Sequence, residues 1–160
     1  MRALMIGILT LYANQAFAAP PTADTKSREV RCLALNIYFE ARGESPEGQL
    51  AVAMVSMNRV HSKRYPNSIC RVVWQSRQFS WTHDGKSDRP REENAWRLAQ
   101  DIALAVYEKY RLLPSQARSA VDITRGALNY YAYKLVLPTW AKYHEVTRSI
   151  GGHVFLRKPS

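Results

Sequence analysis

Residues 30–60 read VRCLALNIYFEARGESPEGQLAVAMVSMNRV, which is two helical patterns separated by a short polar break. Before the break, apolar residues recur at intervals of three and four, the period of a helix with one buried face. These residues are Val30, Leu33, Ala34, Ile37 and Tyr38. Gly43 favours the end of this helix, and Ser45-Pro46 supplies an N-cap and a proline at the first position of the next. We therefore predict one helix over residues 28–42 and a second that ends near Val60.

The remainder of the chain indicates a third helix and an aromatic-rich end. Residues 62–90 lack long periodicity and are punctuated by Pro, Gly, Asn and Asp, so we predict an extended, partly ordered loop region of a length that is often functional. A helical period resumes near Glu92 and continues to Leu113, before Pro114. Its inward residues are predicted to be Trp96, Ala99, Ala103, Val106 and Tyr110. Residues 151–156 predict one small strand. The expected fold class is mainly α, a single compact domain of α+β type with at most a small sheet.

The first 18 residues have the pattern of an export signal. Arg2 provides a positive start, an apolar run follows, and Ala16-Phe17-Ala18 places small residues around a cleavage site. The apolar run is too short for a membrane span, so no stable span is expected, and a buried amphipathic helix is the alternative. We therefore expect a signal peptide at residues 1–18, a flexible lead-in at 19–27 and one domain at 28–160.

Export changes the interpretation of the two cysteines, Cys32 and Cys70. In an oxidising compartment they can form a persistent disulfide, whereas their spacing alone leaves two separate buried thiols as the alternative. Neither belongs to a paired Cys motif, and no histidine lies in a His-Glu-x-x-His pattern. We therefore expect no metal and no cofactor.

The formal net charge is +10, from 23 basic and 13 acidic residues, and it becomes +9 without Arg2. Such a surplus favours anionic partners such as nucleic acid, membrane surfaces or acidic wall polymers. The basic residues are scattered rather than gathered in one tract, and no recognised nucleic-acid-binding motif is present. Nucleic acid is therefore not an expected partner.

Glu40 is the carboxylate whose neighbours favour acid chemistry. Residues 37–39 are apolar or aromatic, and burial against such side chains disfavours the charged form of a carboxyl. A glutamic acid that keeps its proton in a cleft can act as general acid on a glycosidic oxygen. Glu44 could hydrogen-bond across the helix break or act as a supporting carboxylate. Taken alone, the pair also fits a solvated helix end with Arg42 beside it.

A resemblance to a known family covers residues 34–81, which read ALNIYFEARGESPEGQLAVAMVSMNRVHSKRYPNSICRVVWQSRQFSW. This stretch is similar to the SleB/CwlJ-like, spore-cortex-lytic family of cell-wall hydrolases, and weaker similarity extends through residues 127–140 and 151–155. The resemblance implies a small lysozyme-like catalytic domain that acts on the glycan strands of peptidoglycan. It also implies Glu40 as the catalytic acid and a location in the periplasm or cell wall.

The resemblance further implies lytic transglycosylase chemistry at the bond between N-acetylmuramic acid (MurNAc) and N-acetylglucosamine (GlcNAc). One carboxyl suffices for that reaction, and the product carries a 1,6-anhydro-MurNAc end. Asp84 or Asp88 in the adjoining loop could instead support a water molecule, so a hydrolysing N-acetylmuramidase is an alternative. A non-catalytic peptidoglycan-binding module is the alternative from another class.

The residues expected to contact sugar lie near Glu40 in the chain or in the aromatic-rich end. Amides hydrogen-bond sugar hydroxyl and acetamido groups, and flat aromatic faces suit pyranose rings. The expected substrate-binding residues are Tyr38, Gln78, Phe79, Ser80, Trp81, Tyr130 and Tyr131. Where family members often carry a polar pair such as Thr-His, this chain has Leu128-Asn129, a departure on the far side of the cleft. Accessory proteins are expected to help target the protein to the wall.

Overall fold

The computed structural model describes residues 22–159, so the predicted signal peptide lies outside the described residues. Five α-helices and three β-strands make up the domain. In chain order they are α1 (Ala23–Ala41), α2 (Pro46–His61), α3 (Ile69–Val73), α4 (Glu93–Lys109), α5 (Ser115–Val121), β1 (Asn129–Ala132), β2 (Glu145–Ile150) and β3 (His153–Arg157). This arrangement confirms the prediction of a mainly α domain with a small sheet. Within residues 22–159, no helix is long and apolar enough to cross a bilayer.

The break between α1 and α2 forms as the sequence predicts. The backbone N–H of Glu44 donates to the carbonyl of Ala41 at 2.9 Å, which closes the last turn of α1. The hydroxyl of Ser45 accepts from the N–H of Gly48 at 3.3 Å, and Pro46 occupies the first turn of α2. This tight reversal lets the two helices pack against each other while both ends stay close to Glu40.

Helix α1 begins five residues earlier than predicted, at Ala23. The hydroxyl of Thr22 accepts from the N–H of Thr25 at 3.3 Å and caps the helix, an interaction worth about 1 kcal/mol. Residues 23–27, which were predicted to belong to a flexible lead-in, are therefore helical.

Helix α1 is the central element of the hydrophobic core. It contacts α2, α3 and α4, and its Leu33 and Ile37 are completely buried. Burying an aliphatic side chain of this size contributes about 1.5–3 kcal/mol relative to exposure. The predicted inward residues of the third helix, α4, are on its packed side, and Ala99 and Ala103 have no solvent exposure. Small side chains at these positions let α4 approach α1 closely.

Ordered structure is present in the region predicted as an extended loop. Helix α3 and a short 3-10 helix, Ser80–His83, lie within it. A disulfide joins Cys70 of α3 to Cys32 of α1, with their Cα atoms 5.2 Å apart, which confirms the predicted pairing. The buried carboxylate of Glu29 accepts from the N–H of Ile69 at 2.6 Å and so satisfies a free donor at the start of α3.

The sheet has three antiparallel strands in the order β1-β3-β2, whereas the sequence predicted a single small strand. Tyr130 of β1 lies opposite Phe155 of β3 in the register. Helix α5 was also not predicted, and α4 ends at Lys109 rather than near Leu113. The sheet brings Tyr130 against the end of α1, where the candidate site is found.

Candidate active site

Glu40 lies in the last turn of α1 with a half-buried side chain. The hydroxyl of Tyr130 donates a hydrogen bond to Oε2 of Glu40 at 3.0 Å. This contact joins the first helix to the first strand across 90 positions of the chain. Two of the residues that the sequence singled out are therefore in direct contact.

Burial raises the pKa of Glu40 above its usual value, while the Tyr130 hydrogen bond and the positive charge of Arg59 oppose this rise. The C-terminal end of α1 carries partial negative charge, which also disfavours the carboxylate form. The result is an acid that holds its proton to a higher pH than a solvated glutamate. Burial also raises the pKa of Tyr130 well above that of free tyrosine, so this hydroxyl keeps its proton and remains a donor.

Arg59 is a buried cation beside the Glu40 carboxyl, and only 3% of its surface is exposed. Its Nε donates to the carbonyl of Leu128 at 2.8 Å, and its guanidinium lies 5.1 Å from the ring centre of Phe79. With its amide oxygen turned toward Arg59, Gln78 accepts from both terminal guanidinium nitrogens at 3.2 Å. These contacts hold the positive charge in one place near the acid.

Asn36 supports the same corner from within the core. It lies one helical turn before Glu40 and is completely buried. Its Nδ2 donates to the hydroxyl of Ser56 at 3.1 Å, and its Oδ1 accepts from the indole Nε1 of Trp81 at 3.3 Å. The Asn36 amide also lowers the pKa of the Tyr130 hydroxyl, against the stronger effect of burial, which raises it. The polar groups around Glu40 therefore form one connected network.

Sequence reasoning gave no role to Arg59 or Asn36, although both interrupt otherwise apolar helix faces. Arg59 belongs to the Met57-Asn58-Arg59-Val60 segment of α2, and Asn36 lies between Leu35 and Ile37 of α1. A charged or amide side chain on a buried face requires polar partners, which is a signal of a network. The partners themselves come from other elements and are not evident from the local pattern.

Glu44 is held by the turn between β2 and β3. Its Oε2 accepts from the N–H of Gly152 at 2.9 Å, and its Oε1 lies 3.8 Å from Nδ1 of His153. A Cβ atom added to Gly151 would lie 2.0 Å from Oε2, so the turn admits this carboxylate because glycines form it. The carboxylate of Glu44 therefore bonds to the β2–β3 turn rather than across the break between α1 and α2, and its predicted role as a supporting carboxylate stays a prediction.

Three of the predicted sugar-contacting side chains are buried. Tyr38 is 3% exposed, and its hydroxyl accepts from the N–H groups of Arg91 and Glu92 at 3.0 and 3.1 Å. Phe79 and Trp81 are also in the core. Phe79 packs against neighbouring side chains and has little surface left for a ligand. Tyr38 and Trp81 are also packed, but both line a groove beside the end of α1, so sugar contact by these two residues stays a prediction.

The other predicted contact residues are more accessible. Ser80 is exposed, and Gln78, Tyr130 and Tyr131 are partly exposed. Tyr131 also meets Trp140 edge to face, with ring centres 6.2 Å apart. These four residues and Glu40 remain the accessible part of the predicted site.

A polar groove of about 470 Å³ lies beside the end of α1. Its lining includes Phe39 and Arg42, on either side of Glu40 in the chain, but not Glu40 itself. Ser80 and the loop over residues 84–92 form the opposite side, with Asp84 and Asp88 among the lining residues. The groove therefore adjoins the acid-bearing turn and presents both hydrogen-bonding and charged groups.

Comparison with known proteins places this geometry in a family. The family model described as cell wall hydrolase matches residues 43–156. Spore cortex-lytic enzymes from Bacillus subtilis (strain 168) and Oceanobacillus iheyensis are each 29% identical over 142 and 129 residues, covering 89% and 81% of this chain. The matches cover 42% and 41% of those enzymes, so the chain spans about two-fifths of the length of these curated relatives.

Two solved structures share the fold. The catalytic domain of the Bacillus cereus SleB protein superposes with a TM-score of 0.60 at 27% identity, over 82% of this chain and 91% of that domain. The catalytic domain of the germination-specific lytic transglycosylase SleB from Bacillus anthracis gives a TM-score of 0.61 at 25% identity, over 91% of this chain and all of that domain. The resemblance seen in the sequence is thereby confirmed, and the chain belongs to the cell wall hydrolase family.

Proposed function

We propose that this protein cleaves peptidoglycan glycan strands as a lytic transglycosylase, with Glu40 as the single catalytic acid. The observation that carries the proposal is the position of Glu40, half-buried in the last turn of α1 and bonded to the Tyr130 hydroxyl at 3.0 Å. Family membership and the printed names of the relatives, spore cortex-lytic enzyme and lytic transglycosylase, support the substrate class and the reaction.

The reaction requires Glu40 in two protonation states in turn. As an acid, it gives its proton to the oxygen that links C1 of MurNAc to C4 of GlcNAc, and that C1–O bond breaks. As a carboxylate, it then takes the proton of the MurNAc 6-hydroxyl while this oxygen bonds to C1. The product is a 1,6-anhydro ring, and the proton returns to Glu40, so no water is consumed.

The environment of Glu40 suits both stages. Burial favours the protonated acid before the bond breaks. The Tyr130 hydrogen bond and the Arg59 charge act in the opposite direction and stabilise the carboxylate that exists between the two proton transfers. Because these groups are already in position, they stabilise the new charge without reorganisation.

The engagement of Glu44 favours transglycosylation over hydrolysis. A hydrolase needs a second carboxylate to activate water, and the Glu44 carboxylate accepts from Gly152 in the β2–β3 turn. Asp84 and Asp88 line the adjoining groove and are the residues through which an N-acetylmuramidase reaction would proceed. We assign substrate contacts to the accessible side chains of Gln78, Ser80, Tyr130 and Tyr131.

Export to the periplasm or cell wall is part of the proposal, with residues 1–18 as the signal peptide. The disulfide between Cys32 and Cys70 supports it, because such bonds persist in oxidising compartments. Accessory proteins that assist wall targeting fit the same location. Fractionation of cells that express the full chain would test export, and a protein retained in the reducing cytoplasm would contradict it.

Digestion of purified sacculi tests the chemistry. We expect soluble muropeptides with anhydro-MurNAc ends by mass spectrometry, and their loss in Glu40→Gln. Glu47→Gln, on the exposed first turn of α2, is the matched control and should keep wild-type activity. Reducing MurNAc ends would indicate a muramidase instead. Sacculus binding without any new product would indicate a non-catalytic binding module.

A further inference from the structure

The connection between β1 and β2 presents an unusual crest of aliphatic side chains to solvent. Leu135, Val136 and Leu137 are consecutive and are 86%, 51% and 78% exposed. Other large apolar side chains exposed in this connection and at the start of β2 are Tyr133, Trp140, Tyr143 and Val146. We call residues 133–146 the crest loop. Contiguous apolar surface of this kind, rimmed by polar residues, is typical of interaction sites.

The crest loop continues into an apolar groove of about 390 Å³. Leu137 and Pro138 line one part of it, Val146 and Leu156 another, and Lys142 is also among the lining residues. The exposed crest and the groove therefore form one continuous surface, on the side of the sheet where β1 leaves the candidate site.

Positive charge surrounds this surface. The Lys134 ammonium lies 5.9 Å from the ring centre of Tyr133, and that of Lys142 lies 5.0 Å from the ring of Tyr143. Residues 123–159 contain six basic side chains and one acidic side chain, a net charge of +5. The single acid, Glu145, pairs with Arg157 at 2.9 Å.

We propose that the crest loop docks on a bilayer that contains anionic phospholipid. Leu135, Val136 and Leu137 would enter the boundary between headgroups and acyl chains, and the tyrosines and Trp140 would lie at headgroup level, where such amphipathic rings concentrate. Lys134 and Lys142 would meet lipid phosphates. A protruding aliphatic tip with lysine–tyrosine pairs behind it matches a lipid surface in both shape and charge.

Docking would set the orientation of the candidate site relative to the bilayer. Its value for glycan cleavage rests on the proposed function. Strand β1 carries Tyr130, which bonds to Glu40, and it leads directly into the crest loop. Tyr131 further links this strand to Trp140 of the loop. Membrane contact at the crest would thus hold the site close to the bilayer, next to the glycan strands nearest the membrane.

Vesicle sedimentation with the full chain tests the proposal independently of catalysis. The probes are vesicles of phosphatidylcholine alone and of phosphatidylcholine with an equal part of phosphatidylglycerol. We expect salt-sensitive binding to the anionic vesicles, and a loss of about tenfold or more in affinity for the triple variant L135S/V136S/L137S. K134Q/K142Q should weaken binding about fivefold or more, because each lysine near an anionic surface contributes favourable electrostatic energy.

The matched control is L112S/V121S, which removes two exposed apolar side chains that lie outside the crest loop, before α5 and at its end. It should bind like the wild type, and circular dichroism should show all variants folded. Absence of binding by the folded wild type would overturn the proposal, as would equal losses in the control and the triple variant. A dimer in solution that the triple variant abolishes would also overturn it and assign the crest to a second copy of this chain. Sacculus digestion by Glu40→Gln reports on the proposed function alone, so the two can fail separately.

Discussion

The Tyr130 hydroxyl donates to Oε2 of Glu40 at 3.0 Å and thereby joins the sheet to the acid-bearing end of α1. The bond favours the carboxylate form of Glu40, whereas burial favours the acid. Burial keeps the pKa of Glu40 raised, and the Tyr130 hydrogen bond stabilises the ionised form that a proton transfer would produce. This relationship leads to the first prediction.

Tyr130→Phe should shift the pH dependence of glycan cleavage. Loss of the hydrogen bond raises the pKa of Glu40 further, so the decline in activity on the basic side of the profile should move to higher pH. The maximal rate should fall by about tenfold to a hundredfold, because a hydrogen bond to a charged group is worth about 1.5–3 kcal/mol. Rates across pH with solubilised glycan strands measure both effects. Tyr143→Phe, at an exposed tyrosine outside the candidate site, is the control. A decline in activity that stays at the wild-type pH in Tyr130→Phe would argue against a direct influence of Tyr130 on Glu40.

Arg59→Met should lower the stability of the fold and raise the pKa of Glu40. The Leu128 carbonyl would lose its donor and Phe79 its cation, so we expect a loss of about 2–4 kcal/mol in the free energy of unfolding. Removal of the positive charge should also raise the pKa of Glu40, so the decline in activity on the basic side of the pH–rate profile should move to higher pH. Denaturant unfolding and the pH–rate profile are the measurements.

Arg59→Lys separates these two effects. It keeps a cation near Glu40 but loses the planar fork that contacts Leu128 and Gln78. In this variant, the decline in activity on the basic side of the pH–rate profile should occur at nearly the wild-type pH. The free energy of unfolding should still fall by part of the amount expected for Arg59→Met. If activity declined at the same basic pH in the Met and Lys variants, the charge of Arg59 would not act on Glu40.

Most of the helical framework was predictable because its signals are local. The apolar period of α1 and α2, the Ser45 cap and Pro46 each act within a few residues, and the break formed where they indicated. The three-stranded sheet was not predictable to the same degree. Its strands are short, and β2 is largely exposed, so it lacks the alternating apolar pattern that identifies a half-buried strand.

The sequence singled out the residues of the candidate site more readily than it indicated their contacts. Glu40 and Tyr130 were both singled out, but their contact spans 90 positions and depends on the packing of the sheet against α2, where Phe155 and Tyr130 meet Ala51 and Val55. Arg59 reaches Glu40 only because α2 packs on α1. Tyr38 was predicted to bind sugar because aromatic faces suit pyranose rings, but most of its side chain packs in the core and only a small part of it lines the groove.

The hydrogen bond between the Glu44 carboxylate and the Gly152 N–H predicts that alanine costs more stability at Gly151 than at Gly126. Gly151→Ala combines a positive φ of 55° with a Cβ atom 2.0 Å from Oε2 of Glu44, whereas Gly126→Ala has a positive φ of 78° and open space. Both should lose about 1 kcal/mol or more from backbone strain, and Gly151→Ala about 1–2 kcal/mol beyond that, because the Glu44 carboxylate must move aside and release the Gly152 N–H. Thermal and denaturant unfolding measure the difference. In a Glu44→Ala background the extra cost at Gly151 should largely disappear, and its persistence would mean that the carboxylate is not the obstacle.

The raised pKa of Glu40 predicts that the proposed catalytic acid lowers the stability of the fold at neutral pH. A carboxyl whose pKa is higher in the folded state than in the unfolded chain holds its proton after the unfolded chain has released it, so the folded state binds more protons over that window. The free energy of unfolding then falls as pH rises from the unfolded pKa, 4.5, through the folded one. Glu40→Gln removes this titration and should be more stable than the wild type at pH 7, with the advantage shrinking below pH 4.5. Urea unfolding at several pH values measures it, with Glu47→Gln as the exposed control. A Glu40→Gln advantage that grows toward acid pH would reverse the sign and show that the folded protein stabilises the charged carboxylate.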